Sequence, residues 1–109
     1  EVIVADNAAH AALVVGADIP GDILDNPAAV TSALLRNGER VSEGNTSLVL
    51  GDPRAAVDWL GNRLKETVRP LQEGDWVASG AIARACPFAL GDDVVADFGP
   101  LGTVACKRG

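Results

Sequence analysis

The stretch GDPRAAVDWLGNRLKETV, residues 51–68, decides the fold, because it reads as a helix set between runs that read as strands. Asp52 stands where its carboxylate can cap the free amides of a first turn, and Pro53 takes the first helical position, where its missing N–H costs nothing. Val57, Leu60, Leu64 and Val68 recur at helical spacing, with Ala56 and Gly61 beside them to allow close approach to a sheet. Pro70 forbids continuation, so the spacing predicts one main helix over residues 53–69. Trp59, next to the stripe, reads as a packing residue rather than a ligand stack.

Upstream of the helix, NPAAVTSALLRNGERVSEG places Asn37-Gly38 between two half-apolar runs. Asn-Gly supplies the two positive φ values of a type I′ turn and predicts a hairpin over residues 30–42. Further back, LVVG at residues 13–16 is short, apolar and β-branched, which suits a buried strand, while VIVADNAAHAA before it is open between strand and helix. Downstream, GDWVASG, DDVVADFG and GTVACKR are three strand candidates, the first two opened alike by Gly-Asp. In the second, Val94, Ala96 and Phe98 alternate with Val95 and Asp97; in the third, Thr103 and Ala105 alternate with Val104 and Cys106. That alternation fits antiparallel strands with one buried face, and the fold class is α+β.

At 109 residues, 48% hydrophobic and 22% charged, the chain has the composition of a single folded domain spanning residues 1–109. Its formal charge of −6 repels a phosphate backbone, so no nucleic-acid partner is expected. No apolar run is long enough to cross a bilayer, so no membrane partner is expected either. The first residues lack a basic, apolar leader pattern, and an intracellular, cytoplasmic location is the default expectation. Cys86 and Cys106 match neither a zinc motif nor a disulfide framework and read as reduced thiols.

Chemistry-bearing patterns are few. His10 is the only histidine, and no Glu-x-Glu or His-x-x-x-His spacing is present, so no metal ligands are assigned within the chain. No P-loop, dinucleotide fingerprint or nucleophile elbow appears, and the catalytic residues stay unassigned. Asp75, Asp92 and Asp93 follow glycines at turns and read as carboxylates that bond nearby backbone amides. Ser79-Gly80 ends a strand candidate; it reads either as a plain turn or as a hydroxyl with adjacent amides facing a pocket. Asp6 and Asn7, set among alanines, either face water or are satisfied inside, and Asp97 reads as an exposed strand position.

Taken in order, VADNA, LVVG, LGDPRAAVDWLGNRL, LQEGDWVASGAI and LGDDVVADFGPLGTVACK resemble the C-terminal part of the 2-oxopent-4-enoate hydratase and 4-oxalocrotonate decarboxylase group of the fumarylacetoacetate hydrolase superfamily. The resemblance runs from about Val4 to Lys107. It implies a mostly antiparallel or mixed, rolled β-sheet whose paired Gly-Asp turns launch neighbouring strands. It also implies that Ser79 and Gly80 help bind the oxo-acid end of a small 2-oxo acid substrate, and that Asp6 and Asn7 line the site. His10 stands where such proteins often carry a small residue.

The implied chemistry is hydration of a 2-hydroxy-2,4-dienoate in the breakdown of aromatic compounds, with 4-oxalocrotonate-type decarboxylation as the alternative. A non-catalytic assembly domain is the alternative of another class. Relatives of this kind use Mg²⁺ or Mn²⁺ held by three carboxylates, all upstream of the matching region. The resemblance therefore implies a missing N-terminal portion, no metal bound by this chain alone, little activity in isolation and a homo-oligomer in the intact protein.

Overall fold

The computed structural model describes residues 12–21 and 26–109. Its centre is a four-stranded sheet of β1 (Thr31–Arg36), β2 (Glu39–Asn45), β3 (Asp93–Asp97) and β4 (Thr103–Lys107), in the order β2-β1-β3-β4. Every pairing is antiparallel, so of the two sheet types anticipated the antiparallel one is observed. One helix, α1 (Pro53–Leu64), lies between β2 and β3 in sequence, and the fold is α+β as expected.

The hairpin forms where Asn37 and Gly38 predict it, and both residues take left-handed backbone, at φ 52° and 82°. β2 runs past Ser42 to Asn45, and a register shift between Leu34 and Leu35 leaves Val41 without a cross-strand partner. Asn37 also ties the hairpin tip to the start of β3. Its Nδ2 donates to Asp92 Oδ1 at 2.9 Å, its Oδ1 accepts from the Asp93 amide at 2.9 Å, and its own amide donates to the Asp93 carbonyl at 2.8 Å.

The two Gly-Asp sequences make the same turn. Gly74 and Gly91 have φ of 89° and 86°, the left-handed value a type II turn requires of its third residue. The amides of Asp75 and Asp92 donate to the carbonyls of Gln72 and Ala89, both at 3.1 Å. Each aspartate then reaches back to accept from the amide three residues earlier, Gln72 at 2.8 Å and Ala89 at 2.9 Å. Asp75 and Asp92 are thus the turn-stabilising carboxylates the sequence indicates. Asp93 instead faces Lys107 at 3.9 Å, and Asp97, half-buried rather than exposed, accepts from the Gly99 amide at 2.8 Å.

The turns have different sequels. After Asp92 the chain enters β3 between β1 and β4, whereas residues 75–81 join no ladder among the described residues, and neither do residues 13–16. Residues 13–16, and Ile82 just past the other segment, meet one face of the sheet. A Cβ on Gly44 of β2, which would project from that face, would overlap the Ile82 carbonyl; a Cβ on Gly16 would come within 2.6 Å of Val104 Cγ2. A backbone lying across a face cannot share the ladder's hydrogen bonds, so strand propensity alone did not make these segments strands. On the same face Val94, Ala96, Phe98, Val104 and Cys106 form an apolar hollow of about 260 Å³ with Val14.

α1 starts as predicted and ends early. Asp52 accepts from the Arg54 amide at 2.9 Å and Pro53 occupies the first turn, but the helix stops at Leu64, and Val68 is fully exposed. The Thr67 hydroxyl donates to the Leu64 carbonyl at 2.7 Å and the Thr67 amide donates to the same oxygen at 3.0 Å, closing the helix locally. Pro70 reinforces this by disfavouring helical backbone at Arg69. A Cβ on Gly61 would meet Leu71 Cδ2 at 3.8 Å, so this small residue faces the segment after the helix rather than the sheet. Trp59 is exposed, with the Arg63 guanidinium 5.9 Å over its ring, and does not take the packing role expected of it.

Candidate functional site

Ser79 and Gly80 are held from two sides. Gly80 has φ 139°, and a Cβ there would meet Val49 Cγ2 and Cγ1 at 3.4 and 3.5 Å. Val49 is one of two buried hydrophobic side chains among the described residues, the other being Ala33. It follows the single-turn 3-10 helix Thr46–Leu48, which is capped by Asn45 and closed by the Val49 amide donating to the Thr46 carbonyl at 3.1 Å. The Gly80 backbone therefore rests on the loop that leads from β2 into the capped start of α1. On the other side, Ile82 sits over Gly44 of β2.

Ser79 is half-buried, and among the described residues neither its hydroxyl nor the Gly80 amide has a hydrogen-bond partner. Two donors side by side on a backbone fixed from both flanks suit a carboxylate or a carbonyl oxygen. Asp6, Asn7 and His10 lie outside the described residues, so the structure does not bring them to this turn or separate them from it. A hollow of about 570 Å³, lined by Thr31, Arg40, Glu43, Asn45 and Asp97 among others, does not include Ser79 or Gly80.

Sequence reasoning passed over two further residues here. Leu50 has φ 51°, a left-handed backbone that a bulky side chain adopts only under constraint, and it adjoins the Val49 that supports Gly80. Gly44 lies beyond the predicted end of the hairpin at residue 42, yet it is where the chain after the turn touches the sheet. The isolated glycine in a strand pattern was the available signal for close backbone approach.

The charged groups near the turn are structural. Arg69 holds Asp75 through two bonds of 2.9 and 3.1 Å, and this pairing, helped by the Gln72 amide, keeps the Asp75 carboxyl below its ordinary range. No three His, Cys, Asp or Glu side chains converge on a common point among the described residues.

The described residues define a class by their fold: an α+β domain with a four-stranded antiparallel sheet and one main helix. The chain belongs to the fumarylacetoacetate hydrolase family, whose C-terminal domain profile, Fumarylacetoacetate (FAA) hydrolase C-terminal, matches residues 3–107.

Among curated relatives, 2-oxo-hept-4-ene-1,7-dioate hydratase of Escherichia coli is 31% identical over 95% of this chain and 39% of its own length. The 2-hydroxyhexa-2,4-dienoate hydratase of Comamonas testosteroni is 35% identical over 82% of this chain and 34% of its own length. The solved 4-oxalocrotonate decarboxylase from Pseudomonas putida G7, complexed with magnesium and adipate, superposes with a TM-score of 0.89 at 29% identity, covering 98% of this chain and 41% of that one. This chain thus spans about two-fifths of the length of the proteins it matches.

Proposed function

We propose that the chain is the C-terminal portion, a single domain over residues 1–109, of a hydro-lyase that adds water to a 2-hydroxy-2,4-dienoate in aromatic catabolism. The observation that carries this reading is the identity of 31–35% to hydratases of short unsaturated oxo acids over most of the chain. In hydration of such a dienoate, a proton and a hydroxyl add across a carbon–carbon double bond while negative charge gathers on the oxo oxygen. Ser79 and Gly80 donate hydrogen bonds to the oxo-acid end, orient it and stabilise that charge. Asp6 and Asn7 line the same site.

A divalent metal would supply Lewis-acid polarisation of the oxo group in the intact protein. The described residues of this chain do not assemble a ligand set for it. The ligands belong to a portion outside this chain. The reading carries with it a homo-oligomer and a cytoplasmic location.

Decarboxylation of 4-oxalocrotonate is the second reading, favoured by the close superposition on the decarboxylase structures. A hybrid enzyme separates the readings: this chain replaces the matching portion of the Escherichia coli hydratase, and water addition to the dienoate and CO₂ release from 4-oxalocrotonate are both assayed. Water addition supports the leading reading and CO₂ release the second. A folded hybrid inactive in both assays contradicts both and indicates an assembly domain.

A further inference from the structure

Gly44 and Ser32 stand directly opposite each other across β2 and β1, so their side-chain directions share one face of the sheet. A Cβ on Gly44 would overlap the Ile82 carbonyl and approach Ala83 Cα to 3.3 Å, so that carbonyl occupies the place where any other residue would carry a side chain. Ser32, its neighbour, has a hydroxyl closed off from solvent and without a hydrogen-bond partner among the described residues. Opposed residues in a ladder hold their Cβ atoms about 5 Å apart, so the Ile82 carbonyl sits on the same face as the Ser32 side chain and at the neighbouring position.

We propose that Gly44 and Ser32 are positioning residues for the Ser79–Gly80 turn. Gly44 provides the socket into which the Ile82 carbonyl seats, and Ser32 donates its hydroxyl to that carbonyl. With Ile82 fixed on the sheet and Gly80 resting on Val49, the turn is clamped on both flanks and the Ser79 hydroxyl and Gly80 amide keep one orientation. This assignment explains why β2 has a glycine within it and why the Ser32 hydroxyl is closed off from solvent. It deepens the oxo-acid reading of Ser79 and rests on it for its purpose, though not for its geometry.

Backbone NMR relaxation on the hybrid enzyme, without any oxo acid, tests the proposal. Wild type should show rigid order parameters, about 0.85, at residues 79–83. Ser32→Ala should lower them below about 0.6 while Leu34 and Val95 in the sheet keep their values, and should shift the Ile82 carbonyl carbon resonance. Ser32→Thr, which retains the hydroxyl, should restore wild-type order, and Gly44→Ala should loosen the same residues.

Unchanged order at residues 79–83 in Ser32→Ala overturns the proposal, as does an equal drop throughout the sheet, which would mark a purely structural serine. Because no ligand is present, this result is independent of whether the hybrid enzyme turns over substrate.

Discussion

Leu50 holds a left-handed backbone while its side chain is 73% exposed, so nothing its side chain packs against accounts for the conformation. For a bulky residue that backbone costs about 1–2 kcal/mol, part of which glycine would recover after its larger entropy loss on folding. Leu50→Gly should therefore stabilise the chain by about 0.5–1 kcal/mol, read from the urea midpoint. Asn37→Ala should act oppositely, destabilising by about 1–2 kcal/mol, because it removes the bonds to Asp92 and Asp93 and a residue that tolerates left-handed backbone. Asn37 was legible in the sequence because Asn-Gly states its own turn. Leu50 was not, since leucine gives no sign of positive φ. Nor was Gly44, because what it accommodates comes from residue 82, 38 positions along the chain.

Among the elements, those set by neighbouring residues were readable and those set by distant ones were not. The start of α1 follows from Asp52 and Pro53, and both Gly-Asp turns follow from four adjacent residues. The early end of α1 depends on which way the Thr67 hydroxyl turns, and the failure of residues 75–81 to become a strand depends on where the rest of the chain places them.

The turns also predict a pH dependence. The Arg69 side chain and the Gln72 amide lower the Asp75 pKa; the Asn37 side chain and the Ala89 amide, helped by Arg36 and Arg108, lower that of Asp92. A carboxyl depressed in the folded state contributes stability above its unfolded value, and that contribution is lost as pH falls through the folded value. Stability should accordingly decline as pH drops below about 4, and Asp75→Asn with Asp92→Asn should flatten that decline in thermal unfolding measured from pH 6 to pH 2.5. A decline of the same slope in the double variant would contradict the assignment.

On the scale of the whole molecule, the described residues bury little. Ala33 and Val49 are the buried hydrophobic side chains, while Trp76 and Leu90 are 74% and 77% exposed. The neighbours that share this fold carry a further three-fifths of their chain outside the match, which agrees with a surface shaped to meet more protein. The chain by itself should therefore associate, its weight-average mass rising with concentration in sedimentation equilibrium; a constant monomer mass would contradict this.

Family membership was the most legible feature of all, because the order and spacing of several weak motifs survive where each motif alone says little. The placement of Asp6 and Asn7 was read from that likeness and lies outside the described residues.

The measurement that bears most directly on the central claim is steady-state hydration by the hybrid enzyme with Ser79 and with Ser79→Ala. The account predicts that Ser79→Ala lowers kcat/KM about tenfold, the worth of one hydrogen bond to a charged oxygen, with an unchanged circular-dichroism spectrum. An unaltered KM and kcat in the folded variant would contradict it and remove Ser79 from the site.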